Sequence, residues 1–129
     1  MSAVVVAWTP DRFGTAAVTY AVAEARLRDA RLVVVNGSRG DALVDEEYAG
    51  ADALADLDRE LEGVEHEIRQ VVAADVAEAV VDVAAEVDGV LVVVGVRHRT
   101  TVGKLLMGSV AQRLVLEAPL PVVCVKPPR

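Results

Sequence analysis

Gly95, Arg97, His98, Arg99, Lys104, Gly108 and Ser109 fall within one short stretch, GVRHRTTVGKLLMGS (Gly95–Ser109). Glycines let a backbone approach a ligand closely, a hydroxyl donates or accepts a hydrogen bond, and cations neutralise negative charge. Together these residue types make an anion cradle, with phosphate the best-fitting anion. The stretch follows an apolar run, Gly89–Val94 (GVLVVV), and precedes a helical pattern, Val110–Glu117. In an open α/β sheet ligands bind at that junction, where the carboxyl end of a strand meets the start of a helix.

The charge distribution supports a small anionic ligand. The 129-residue chain has a net charge of −7. Asp41–Glu67 is strongly acidic, with Arg59 its one Lys or Arg. A local basic island on such a protein points to a small anion and argues against nucleic acid, which needs a broad basic face. No apolar run approaches the roughly 20 residues of a membrane span. The start, MSAVVVAW, has neither a basic region nor a cleavage pattern, so no secretory signal is expected. A single cysteine, Cys124, suits a reducing cytoplasm. Flanked by Val123 and Val125, it reads as a small buried hydrophobe.

The elements that must position the cradle follow from periodicity. Ala3–Trp8 and Arg31–Asn36 are continuous apolar runs of strand length, the second stopped by Gly37. Val64–Val72 alternates, as a half-exposed strand does. Gly89–Val94 is a fourth strand, and Val122–Val125, bracketed by Pro119, Pro121 and Pro127, a fifth. Thr15–Arg28 is predicted helical with Tyr20, Ala23 and Leu27 as its apolar stripe. Asp52–Glu62 carries Leu54, Leu57 and Leu61 on one face. Asp75–Val87 places Val76, Val80, Val83, Ala84 and Val87 at core-facing spacing. The helix Ser109–Glu117 completes a strict alternation of strand and helix within one domain, residues 1–129.

Such alternation predicts an α/β fold, an open doubly wound parallel sheet of five strands with helices on both faces. The uniformly apolar first, second and fourth strands belong at its centre. The charged third strand and the proline-flanked fifth belong at its edges. The resulting order is 3-2-1-4-5. Its topological switch point lies between strands 1 and 4, where Thr9–Gly14 and Gly95–Ser109 converge.

With these residues in place, the chain resembles the universal stress protein family along essentially its whole length. Nucleotide-binding members carry G-x-x-G, nine residues, then G-S or G-T. The matching positions here are Gly95, His98 and Gly108-Ser109. The ending from Val102 to Lys126, with Ala118-Pro119-Leu120-Pro121-Val122, is also similar. Two positions depart from the pattern: His98 replaces the second glycine, and Thr9 stands where family members have an aspartate that helps hold adenosine. Asp11, two positions on, is expected to face elsewhere.

The resemblance implies the adenine nucleotide alpha-hydrolase-like fold and a cytoplasmic stress-response protein that binds ATP, ADP or AMP, with or without Mg²⁺. It implies a homodimer formed through the last strand. The implied nucleotide-binding residues are Trp8, Thr9, Pro10 and Val35 at the ends of the first two strands. Val94, Gly95, Arg97, His98, Gly108, Ser109 and Val110 complete the set around the loop. Several have plainer roles. Ser109 could be only an N-cap, Gly95 only a turn, Arg97 and His98 only solvated loop residues, and Trp8 only core. His66 reads as structural. No P-loop, metal cluster or nucleophile elbow is present, and Asp11 is the sole weak candidate for activating water. Binding without efficient turnover, with at most weak ATP hydrolysis, is therefore the expectation. The alternatives are a nucleotide-free interaction module of the same fold and a slow ATPase.

Overall fold

A computed structural model describes residues 1–40, 46–97 and 107–128. Five parallel strands form one sheet in the order β3-β2-β1-β4-β5. They are β1 (Ala3–Ala7), β2 (Arg31–Ser38), β3 (His66–Val72), β4 (Gly89–Gly95) and β5 (Val122–Val125). The helices are α1 (Arg12–Arg28), α2 (Ala51–Glu60), α3 (Val76–Glu86) and α4 (Ser109–Glu117). The predicted fold class, element order and strand order are those observed.

Alternation along the strands builds two cores. Val4, Val6 and Trp8 join Leu32, Val34, Leu91 and Val93 under α1 and α2. Ala3 and Val5 join Val33, Val35, Val92 and Val94 under α3 and α4. Strands buried on both faces are continuously apolar for this reason. At the edge, β3 meets solvent through charge. Arg69 pairs with Glu67 and Glu86, and Arg31 lies 3.6 Å from Glu67.

Several expected details differ. Helix α1 starts at Arg12, three residues early, because Asp11 caps it: its Oδ1 accepts from the N–H groups of Phe13 and Gly14, both at 3.0 Å. The buried stripe of α1 is Gly14, Ala17, Val18, Ala21 and Ala25. Leu27 is 82% exposed and Tyr20 37%. Small residues let the helix lie close on the sheet, so the bulky ones point outward. Strand β2 runs on through Gly37 to Ser38, pairing with Val71 and Val72. A Cβ on Gly37 would lie 2.5 Å from Val76 Cγ1, so only glycine lets α3 pack there. Helix α2 ends at Glu60 and β3 begins at His66, since the intervening chain turns, with Gly63 at φ +85°. Cys124 is exposed on β5 rather than buried.

Candidate functional site

The carboxyl ends of β1, β2 and β4 open into a cavity of 540 Å³. This is within the usual range for small-molecule sites, roughly 300–1,000 Å³. Ala7, Trp8 and Thr9 leaving β1, Val35 on β2, and Val94 and Gly95 on β4 line it. Arg97 follows β4 on the rim, and Gly108 to Ala111 close one side. Of the residues expected from the sequence, the cavity thus gathers Trp8, Thr9, Val35, Val94, Gly95, Arg97, Gly108, Ser109 and Val110. Pro10 is not among them. It lines a separate pocket of 190 Å³ between α1 and α2, which also includes Trp8 and Asp11. Proline follows the strand exit and turns the chain toward α1. His98, Arg99 and Lys104 lie outside the described residues.

The start of α4 faces the cavity. Its N-cap is Gly108, whose carbonyl accepts from Gln112 N–H at 3.0 Å. Among the described residues no side chain caps this helix end. Ser109 is the first helical residue rather than the cap. An α-helix leaves its first N–H groups without carbonyl partners, and its dipole makes that end positive. Those of Ser109, Val110 and Ala111 suit a phosphate. Among the described residues a Cβ at Gly108 would meet nothing within 4 Å.

At the opposite wall, the Thr9 hydroxyl donates to Asp11 Oδ1 at 2.8 Å. Asp11 therefore does not face elsewhere: it lines the cavity while capping α1. One carboxylate oxygen collects the Thr9 hydroxyl and two helix N–H groups, which fixes the chain's exit from β1. Gly95 has a sterically defined role. A Cβ there would lie 2.3 Å from the Phe13 carbonyl oxygen. Its small size lets α1 cross the end of β4. The guanidinium groups of Arg97 and Arg12 lie 5.5 and 4.9 Å from the centre of the Phe13 ring. That contact holds Arg97 at the rim by cation–π attraction.

The structure adds residues that sequence reasoning missed. Phe13, Gly37, Ser38, Arg39, Glu46 and Glu47 line the cavity, as do Val76 and Val80 from α3. Behind this wall Asn36 is fully buried. Its Nδ2 donates to the carbonyls of Trp8 at 2.9 Å and Glu47 at 2.7 Å. Its Oδ1 accepts from Ala49 N–H at 2.8 Å and Gln70 Nε2 at 3.1 Å. A polar residue ending an otherwise apolar strand was the available signal. The rim carries both signs, with Arg39 and Arg97 against Asp11, Glu46 and Glu47. Among the described residues no group of three or more His, Cys, Asp or Glu could hold a metal. No described helix is long and apolar enough to cross a membrane.

Comparison with known proteins agrees with this architecture. Residues 1–126 match the model of the universal stress protein family. A universal stress protein of Mycolicibacterium smegmatis is 47% identical over 126 residues, covering 96% of this chain and 97% of that one. The structure of a universal stress protein from Archaeoglobus fulgidus matches with a TM-score of 0.76 and 33% identity, covering 98% of each chain. Two further structures are each 26% identical over 98% of both chains. One is a universal stress protein in complex with cAMP, with a TM-score of 0.73. The other is from Archaeoglobus fulgidus in complex with dAMP, with a TM-score of 0.65. Sheet order, whole-length sequence match and close relatives agree: this chain belongs to the universal stress protein family.

Proposed function

We propose that this protein is a cytoplasmic stress-response module that binds an adenine nucleotide in the crevice at the ends of β1 and β4. The observation that carries this reading is the start of α4, a helix end uncapped by any side chain among the described residues and facing a cavity of nucleotide size. The N–H groups of Ser109, Val110 and Ala111 and the Ser109 hydroxyl hold phosphate, with Arg97 adding charge from the rim. Trp8, Thr9, Val35 and Val94 border the nucleoside. Asp11, braced by Thr9, supplies the carboxylate on that wall in place of the aspartate that family members carry where this chain has Thr9. Relatives that bind dAMP and cAMP make monophosphates the first ligands to test, before ATP and Mg²⁺.

Isothermal titration calorimetry with AMP, ADP and ATP tests the reading. Saturable heat in the wild type is expected, and its loss in the double variant Gly108→Val, Ser109→Ala. Absence of heat at millimolar ligand would refute it and favour a nucleotide-free interaction module.

The proposal includes a homodimer built on β5. The two sheet edges differ: β3 is guarded by ion pairs, whereas β5 offers Val122, Val123 and Val125 half-buried beside Cys124. An unguarded apolar edge invites pairing with a second copy.

A further inference from the structure

We propose that Asn36 is the positioning residue for the base-binding wall of the site, an inference that rests on the nucleotide reading above. Asn36 touches no cavity surface; its effect passes through what it holds. A side-chain amide has two donor hydrogens and an oxygen with two lone pairs. Asn36 uses all of them. The donors go to the carbonyls of Trp8 and Glu47, and the oxygen receives Ala49 N–H and Gln70 Nε2. Gln70 in turn donates to the Ala49 carbonyl at 2.9 Å.

This network joins three pieces of chain that line the cavity or lie next to its lining. Trp8 precedes Thr9 at the exit of β1. Val35 and Gly37 flank Asn36 on β2. Glu47 belongs to the connection between β2 and α2. The sheet ladder joins only two of these segments, with Trp8 N–H reaching the Val35 carbonyl at 2.9 Å, whereas Glu47 and Ala49 lie beyond any strand. The Asn36 amide supplies the link. It lies on β2, separated from β4 by β1. It therefore governs the wall remote from the start of α4, which takes the phosphate. Asn36 sets the fit of the base, and binding of the phosphate and ribose is independent of it.

Asn36→Asp tests this with little change in shape. The oxygen replacing Nδ2 confronts two carbonyl oxygens and must push the Trp8 and Glu47 segments apart. Calorimetry would compare AMP with ribose 5-phosphate, which keeps the phosphate and sugar but lacks the base. The variant is expected to bind AMP at least tenfold more weakly and ribose 5-phosphate within about twofold of wild type, so that the advantage of AMP collapses. Gln70→Met removes one arm of the network and should give a smaller loss of the same kind, about threefold, which covers the case in which Asn36→Asp does not fold. Val83→Ala, in the core under α3 and away from the cavity lining, controls for lowered stability and should leave both affinities unchanged. Equal weakening of both ligands in the Asn36 and Gln70 variants, or no weakening of either, would overturn the positioning role. A wild type that binds neither ligand would remove the nucleotide reading itself, a result distinct from both.

Discussion

Gly95 shows how one atom can decide whether a site forms. The sequence allowed two explanations, a turn and a close ligand approach. The structure supplies another: α1 crosses so near that a Cβ would sit 2.3 Å from the carbonyl oxygen and 2.7 Å from the carbonyl carbon of Phe13. Backbone atoms cannot swing aside as a side-chain tip can. Gly95→Ala should cost about 1–3 kcal/mol as overpacking, measured by urea denaturation followed by circular dichroism. Because Arg97 is held over the Phe13 ring, the same shift would loosen the cation at the rim. Thr9 teaches a related lesson. Judged by type, a threonine in an aspartate's place looks like loss of a carboxylate. Its hydroxyl in fact bonds the carboxylate of Asp11, and that geometry depends on the sharp entry into α1. Replacement of Asp11 by Ala should remove the α1 cap and cost about 1 kcal/mol of stability. Asp11→Asn, which keeps a capping oxygen, should cost less in the same urea titration.

At the scale of elements, the strands were legible and the helix faces only partly so. Uninterrupted valine runs mark strands covered on both sides, so β1, β2 and β4 could be placed centrally without reference to any relative. Tyr20 and Leu27 misled because size is a poor guide on a helix packed through alanine and glycine. The role of Asn36 was not legible because its partners are distant in sequence: Gln70 arrives when β2 and β3 pair, and Glu47 and Ala49 come from the connection before α2.

His66 illustrates a tie between elements with a definite pH signature. Its Nε2 lies 2.6 Å from Asp58 Oδ1 on α2, and its Nδ1 lies 2.7 Å from the Val64 carbonyl. Both neighbours accept, so only the doubly protonated ring satisfies both. Partial burial opposes the charge. The Val64 carbonyl and the Asp58 carboxylate outweigh it and raise the pKa above its ordinary 6.5. A raised folded-state pKa gives stability that is complete below the unfolded value and fades as pH climbs through the folded one. Asp58 is 69% exposed, so solvent weakens the pair and the contribution should be below about 1 kcal/mol. Urea midpoints should fall from pH 5.5 to pH 8.5, and His66→Gln should flatten that trend. An unchanged slope in the variant would assign the pH dependence to other groups.

For the whole molecule, the placement of the crevice was readable because it follows from topology. Once β1 and β4 are neighbours with helices leaving to opposite faces, a gap must open between them. Its extent was not readable, since α3 contributes Val76 and Val80 from a segment with no ligand-binding signature. The contrast between the two sheet edges also belongs to this scale. Wild-type protein at micromolar concentration should scatter light as a dimer, and Val123→Glu should shift it toward monomer. A wild-type monomer under those conditions would rule out the β5 interface.

Trp8 borders both the 540 Å³ crevice and the 190 Å³ pocket, and it is the chain's sole tryptophan. Its indole is almost wholly buried, and its carbonyl is held by Asn36. The protein therefore carries its one tryptophan fluorophore at the place where the β1 exit, the α1–α2 groove and the crevice wall meet. Emission from this single ring should respond to anything that enters either pocket. It should also redden when α2 lifts away, before the strands themselves come apart.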